Sequence, residues 1–183
     1  MVYYGTLAKE NSLQIILFSS AYFLLLGLAY FCILKYIKME QLQNLLKKNN
    51  YKKVKFKIIK TQHLLIKATI NGIKGNFILD TGASSSCVGL ESVEKFLLNA
   101  KKSKTKASGA GATGLFTQLA KGNKLKVGRW KADDFNIVVF DLSHVNFALT
   151  EHKAKPVDGI IGADILRNGK AIVDYSGNYL FLK

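Results

Sequence analysis

From Leu13 to Leu34 the chain reads LQIILFSSAYFLLLGLAYFCIL without a charged side chain, and this run divides what lies on either side of it. A helix needs roughly 20 apolar residues to cross a hydrocarbon core of about 30 Å, so the run is long enough to span a membrane once. A cleavable signal peptide is the competing reading, but the run exceeds the usual apolar region of one and no small-x-small cleavage site follows it. The residues AYFC, ending at Cys32, also lack the small residue expected before a lipid-modified cysteine. The expected segmentation is a tail over 1–11, a transmembrane helix over 12–36, a juxtamembrane amphipathic linker over 37–52 and a folded domain over 53–183.

Charge orients this arrangement. Lys9 and Glu10 cancel before the helix, whereas Lys35, Lys38, Lys47, Lys48, Lys52, Lys53, Lys55, Lys57 and Lys60 follow it against Glu40. The positive-inside rule then places the domain of this single-pass protein on the cytoplasmic side, with membrane lipid as the partner of the N-terminal helix. Within the linker, Leu42, Leu45 and Leu46 fall at i, i+3 and i+4, which predicts a short amphipathic helix ended by Asn49-Asn50. The net charge of +15 is almost entirely lysine, since Arg129 and Arg167 are the only arginines among 27 basic residues. Lysine is a mobile point charge without the planar fork that reads phosphates and guanine edges, so no nucleic acid is expected as a partner. Cys32 lies inside the apolar run and Cys87 far outside it, so the two make no disulfide framework.

After Tyr51 the pattern changes to short strand-like runs between turn residues. KFKIIK, HLLIKATI and GNFILD read as strands, with Asn71-Gly72 as a tight hairpin signal between the last two. LFTQLA, KLKVG, FNIVVFDL, AIVDY and NYLFLK follow, the last pair joined at Ser176-Gly177-Asn178. Two helices are expected between them, ESVEKFLLNA with Val93, Phe96 and Leu97 on one face, and another around His144 to Thr150. Many strands and few helices predict a mainly β fold, a compact barrel or sandwich. With 183 residues there is room for one ordinary domain and an accessory segment.

Phe77-Ile78-Leu79-Asp80-Thr81-Gly82-Ala83-Ser84 is the sharpest chemical feature: an apolar strand ends in an acid, a hydroxyl and a glycine. The tripeptide alone recurs by chance, because each residue type makes up roughly 5 to 7% of ordinary sequences. A second element about 80 residues later changes the odds, Val157-Asp158-Gly159-Ile160-Ile161-Gly162-Ala163-Asp164-Ile165-Leu166, followed by the strand pair over 171–182. Together these segments resemble the retropepsin family of aspartic proteases, in which an Asp-Thr/Ser-Gly motif is followed by an apolar-apolar-Gly segment leading into a short helix. The resemblance covers roughly Lys53 to Lys183 and implies a single-lobed, closed acid-protease barrel with one or two short helices.

The activity it implies is that of an aspartic endopeptidase acting on a protein or peptide substrate. Two acids about 3 Å apart share one proton, one acting as general base on water while the other polarises the scissile carbonyl. With one Asp-Thr-Gly per chain and no length for a second lobe, the expected enzyme is a homodimer in which Asp80 faces its mate across a two-fold axis. The resemblance makes Thr81 a hydrogen-bonding partner across that axis and Gly82 a donor to the carboxylate. Ala83 matches the retroviral form of the motif, which removes one donor to the outer carboxylate oxygen and should shift activity toward less acidic pH. Ser84 completes the loop, Ile160, Ile161 and Gly162 are expected to pack against it, Asp164 to be structural, and Asp158 to be a turn residue.

The flap that closes over substrate in this family is expected within Ser108 to Phe116, with Gly109, Gly111, Gly114, Leu115 and Phe116 as its candidates. The same stretch matches G-x-G-x-x-G, but a dinucleotide site needs a preceding strand and a following helix, and a lysine-rich stretch precedes it here. No cofactor or metal is expected. His144 and His152 flank Glu151 without the spacing of a helical zinc protease, and Ser84 to Ser86 lie in no nucleophile elbow. The alternative function is a non-catalytic module of the same fold that dimerises or binds peptides at the membrane. For the orientation, a reporter fused after Lys183 is expected to behave as cytoplasmic; alkaline phosphatase activity from that fusion in a bacterial host would reverse it.

Overall fold

Asn71 and Gly72 adopt positive φ (49° and 88°), the left-handed geometry that a two-residue hairpin turn requires, and they join the first long strands of the body. In a computed structural model that describes residues 25–34, 36–37, 39–109 and 112–183, the chain divides into two units, Met1–Leu46 and Lys47–Lys183. The first unit is helical over 25–34 and 36–37, and a helix over 39–48 closes at Asn49 and Asn50, where Asn50 has φ 66°. The membrane-crossing helix expected over 12–36 is not supported, because among the described residues no helix is long and apolar enough to cross a membrane. Residues 1–24, which hold the first half of that run, lie outside the described residues. Leu42 and Leu45 of the amphipathic stripe are exposed, while Leu46 is buried.

The second unit consists of two sheets. A three-stranded sheet runs β1 (Lys52–Lys55), β11 (Tyr179–Leu182), β10 (Ile172–Asp174), antiparallel throughout. The larger sheet has the order β2 (Lys57–Ile58), β3 (Leu64–Ile70), β4 (Ile73–Leu79), β9 (Gly159–Ile161), β5 (Cys87–Gly89), β8 (Trp130–Phe140), β7 (Ala112–Val127), β6 (Ala100–Gly109). An additional pairing of Thr69 and Ile70 on β3 with Lys126 and Leu125 on β7 closes it into a barrel, as the mainly β expectation requires. The short helices are Ser143–Glu151 and Ala163–Asn168.

Burial follows pairing. β3 has strand neighbours but one exposed face in part, and its side chains alternate between buried and more open positions. At Phe77, Ile78 and Leu79 β4 is covered on both faces, so its sequence is a continuous apolar run. Phe77 and Leu79 enter the main core with Ile66, Phe96, Val139, Ile161 and Ile165. Ile78 faces the other way, into a smaller cluster with Leu149 and Val157 that the helix Ser143–Glu151 helps to cover.

Three expectations are corrected. KFKIIK is not one strand: Phe56 is buried and donates its N–H to the Asn178 carbonyl at 3.0 Å, so β1 and β2 separate there into different sheets. LFTQLA and KLKVG belong to one long strand, β7, bent by register shifts between Ala120 and Leu125. ESVEKFLLNA forms a 3-10 turn over Leu90–Ser92 followed by further turns, not an α-helix. Leu97 adopts φ 54° and is exposed, while Phe96 and Leu98 turn inward, so Leu97 does not share the apolar face.

The bend in β7 is held by a buried amide. Asn123 donates from Nδ2 to the Ala120 carbonyl (3.0 Å) and the Phe135 carbonyl (3.3 Å), and its Oδ1 accepts from Asn71 Nδ2 (2.9 Å). Asn71 also donates to the Phe96 carbonyl at 3.0 Å, which fastens the hairpin turn and the turn after Ser92 to the bend. Replacing Asn123 by Leu leaves these groups unpaired in the interior. Chemical denaturation is expected to show a loss of about 1 to 3 kcal/mol; an unchanged midpoint would remove the network from the stability of the barrel.

Candidate active site

Asp80 stands one residue beyond the end of β4, and the register of that strand decides where the acid lies. β4 pairs in parallel with β9, Phe77 with Gly159, Ile78 with Ile160 and Leu79 with Ile161. The ladder continues one step, since the Asp80 N–H donates to the Ile161 carbonyl at 3.0 Å. The half-buried Asp80 side chain accepts the Gly82 N–H on Oδ1 at 2.8 Å. Strand pairing thus fixes the backbone of the acid, and a tight loop fixes one carboxylate oxygen, leaving Thr81 exposed beside it.

The loop is anchored from behind. The buried Ser86 hydroxyl donates to Asp164 Oδ1 at 2.6 Å and accepts the Gly162 N–H at 2.8 Å. The Ser86 N–H reaches both Asp164 oxygens at 2.9 Å, and the Ala163 N–H donates to the Ala83 carbonyl at 2.7 Å. Asp164 also accepts the Ile165 N–H at 2.7 Å, in the first turn of the helix Ala163–Asn168, where negative charge is favoured. A Cβ at Gly162 would stand 2.8 Å from the Ala83 and Ser85 carbonyl oxygens, so only glycine allows the two loops to approach this closely.

Asp80, Gly82, Ala83, Ile161 and Gly162 therefore meet in one place. Ile160 points partly into the smaller cluster, on the other side of β9. Ser84 is exposed and makes no hydrogen bond in this network; the hydroxyl that ties the loop is Ser86, whose importance the sequence marked only by its place in Ser84-Ser85-Ser86. Gly109 and Gly114, with Leu115 and Phe116, lie on the hairpin of β6 and β7, where Gly109 pairs with Ala112, Leu115 with Ala107 and Phe116 with Lys106. Gly111 lies outside the described residues.

Asp158 is more than a turn residue. It exchanges main-chain and side-chain bonds with Asn76, its N–H to the Asn76 carbonyl and its Oδ2 from the Asn76 N–H, both at 2.8 Å. Its Oδ1 accepts from Lys95 (2.5 Å) and Ser92 (3.2 Å), and its carbonyl accepts the Gly89 N–H. One carboxylate thereby holds the entry to β9 against β4 and the turn after β5. Asp164 and Asp158 both serve the scaffold, and Asp80 is the acid at the open end.

Cys87 lies under the same loop. Burial pushes its thiol up to about 12; a hydrogen bond with the Ile160 backbone opposes this, and the nearby carboxylates of Asp164 and Asp80 add to it. At neutral pH it is an inert packing side chain. His144 and His152 are exposed. Among the described residues no cluster of His, Cys, Asp or Glu has the form of a metal site.

A family model for aspartyl proteases matches residues 66–165, more than half of the chain, and the chain belongs to that family. The matched span contains both Asp80 and the Ile160-Ile161-Gly162 segment. Similar solved structures include a retropepsin-like aspartic protease from Rickettsia conorii, at 18% identity, covering 72% of this chain and 89% of that one with a TM-score of 0.48. The retroviral protease-like domain of Ddi1 from Leishmania major is 17% identical over 66% of this chain and 88% of that one, with a TM-score of 0.46. The EIAV protease in complex with the inhibitor HBY-793 is 20% identical over 59% and 88%, with a TM-score of 0.44. No curated protein matches.

The Asp164 carboxylate is the part of this site whose removal is simplest to read. Asp164→Ala strands the Ser86 N–H and hydroxyl in the interior and is expected to lower stability by at least about 2 kcal/mol, measured by thermal or urea unfolding. A variant as stable as the parent would show that the loop is held by other means.

Proposed function

We propose that the chain is an aspartic endopeptidase that works as a homodimer, each copy contributing one Asp80. The observation that carries this reading is the placement of Asp80: a half-buried carboxylate at the open end of a barrel strand, held by the Gly82 N–H and backed by the Gly162 loop. A single carboxylate held this way lacks the second acid that peptide hydrolysis by this chemistry needs. In the pair, one ionised carboxylate takes a proton from water as it attacks the scissile carbon. The other, protonated, donates a hydrogen bond to the carbonyl oxygen, so the negative charge forming there is neutralised. Collapse of the tetrahedral intermediate transfers a proton to the leaving nitrogen and returns the pair to its shared-proton state.

Rigid placement matters because the geometry must be maintained in both copies at once. The β6–β7 hairpin is the proposed lid over the substrate, its Gly109 and Gly114 lending it freedom to move. Thr81 is proposed to bond across the two-fold axis beneath the acids. Tethering to a membrane through Leu13 to Leu34, with the protease domain on the cytoplasmic side, rests on the sequence. It would confine two copies to a plane and raise their effective concentration, so that pairing controls activity.

Asp80→Asn keeps the shape and removes the proton chemistry. Its cleavage of casein or of a peptide library is expected to fall by about a hundredfold or more, the usual weight of a general base, with the melting temperature little changed. Equal cleavage by the variant and the parent would remove Asp80 from the reaction.

A further inference from the structure

Lys74, Thr69, Lys126 and Lys131 lie side by side across four strands of the barrel. The register sets Lys74 of β4 opposite Thr69 of β3, Thr69 opposite Lys126 of β7, and Lys126 opposite Lys131 of β8. Ala68, Ile70, Leu125, Val127 and Trp130, which flank them along the strands, enter the main core. By the alternation of a strand the row therefore stands on the outer face, where Lys67 joins it two residues from Thr69. The four lysines are all exposed. With strands about 4.8 Å apart, the row is about 14 Å long. Lysine directly opposite lysine, as at Lys126 and Lys131, disfavours strand pairing. Among the described residues none of these four side chains has an ion-pair or hydrogen-bond partner that would offset this. Asp133 and Asp134 of β8 fall opposite Lys124 instead, between the pairs Leu125 with Ala132 and Asn123 with Phe135.

Leu97 stands beside the hairpin that joins β3 and β4, because Asn71 Nδ2 of that hairpin donates to the Phe96 carbonyl at 3.0 Å. It is 72% exposed, more than any other large apolar side chain among the described residues. Its φ of 54° is one that bulky side chains rarely adopt, and buried Phe96 and Leu98 on either side hold the turn in place. A leucine is thus held out into solvent, under strain, beside a face of uncompensated lysines.

We infer that this face docks on an anionic lipid surface, with the lysines among the headgroups and Leu97 entering the boundary between headgroups and acyl chains. A bilayer offers negative charge and an apolar layer together, which are the two things the face lacks. Lysine suits such a surface, since a mobile point charge follows headgroups that move, whereas a fixed phosphate backbone favours the planar fork of arginine. On the reading above, the uncharged run Leu13 to Leu34 keeps the chain at a membrane, so a lipid surface lies within reach. The docking does not depend on the chemistry of Asp80. It leaves that acid open to substrate, because Asp80 follows the far end of β4, six residues and about 20 Å from Lys74.

The test uses the unaltered full chain in lipid nanodiscs of phosphatidylcholine alone, or with about one third phosphatidylserine. A brief pulse of a water-soluble acylating reagent is read lysine by lysine by mass spectrometry. Lys67, Lys74, Lys126 and Lys131 are expected to react about fivefold or more slowly in the anionic discs, and to recover at about 0.5 M salt. Lys170, exposed after the helix Ala163–Asn168, is expected to react alike in both. Equal rates at the four lysines in both lipids overturn the docking. A DNA duplex that protects them in neutral discs as well as phosphatidylserine does overturns the choice of a lipid surface. Lys126→Glu with Lys131→Glu, or Leu97→Asp, is expected to restore fast acylation of Lys67 and Lys74; undiminished protection in both variants places the contact elsewhere. Should a variant fail to fold, the unaltered chain still decides. The Asp80→Asn chain is expected to dock as the parent does, which separates loss of cleavage from loss of docking.

Discussion

The parallel pairing of β4 with β9 governs where Asp80 lies. A parallel neighbour cannot come from a tight hairpin, and these two strands are drawn from opposite ends of the domain, Ile73–Leu79 and Gly159–Ile161. Gly159 allows β9 to lie between its two neighbours, since a Cβ there would fall on the Cys87 carbonyl of β5 and crowd the Phe77 ring of β4. Asp158 fastens the start of the pairing through Asn76, Ser92 and Lys95, and Asp164 fastens its end through Ser86. Asp80 lies between these two clamps, so its position is set by strand register and not by a flexible loop. The closure from β3 to β7 then makes the frame around it a barrel.

Two structural carboxylates and one at the open end illustrate how environment sets role. Asp158 and Asp164 have their oxygens taken by backbone N–H groups, hydroxyls or an ammonium, which occupies the lone pairs that chemistry would need. Asp80 accepts one backbone N–H and retains the rest of its capacity at a half-exposed position. A similar division runs over the surface. Lysine lines the edge strands β1 and β6, and exposed large apolar side chains of the domain include Ile58, Leu97, Phe147 and Tyr175.

Much of this was legible from residues alone, for physical reasons that can be named. Asn71-Gly72 announced its hairpin because few residues adopt positive φ, and Phe77-Ile78-Leu79 announced a strand covered on both faces because nothing polar interrupts it. The Asp80 and Gly162 segments were recognisable as a pair because both are short, local patterns. The clamp at Ser86 was not, since a serine beside two others gives no sign of which one is buried. The strand β6 was read as a lysine-rich stretch because its lysines speak for solvent, while its pairing with β7 is decided by tertiary contact. The turn after Leu90 has the apolar spacing of a helix, but Asn71 captures the Phe96 carbonyl and Leu97 takes a left-handed conformation, so local periodicity gave way to packing.

One constraint joins the scaffold to the proposed chemistry: on that reading each chain supplies one acid, Asp80, and the reaction needs two. Mixing differently tagged parent and Asp80→Asn chains in equal amounts, with subunits allowed to exchange, tests it through the activity that remains. If each working site draws one acid from each copy, only parent–parent pairs cleave, and activity settles near about one quarter of that of an all-parent sample at the same total concentration. A value near about one half, unchanged by exchange, would mean that each chain cleaves alone and would contradict the shared site.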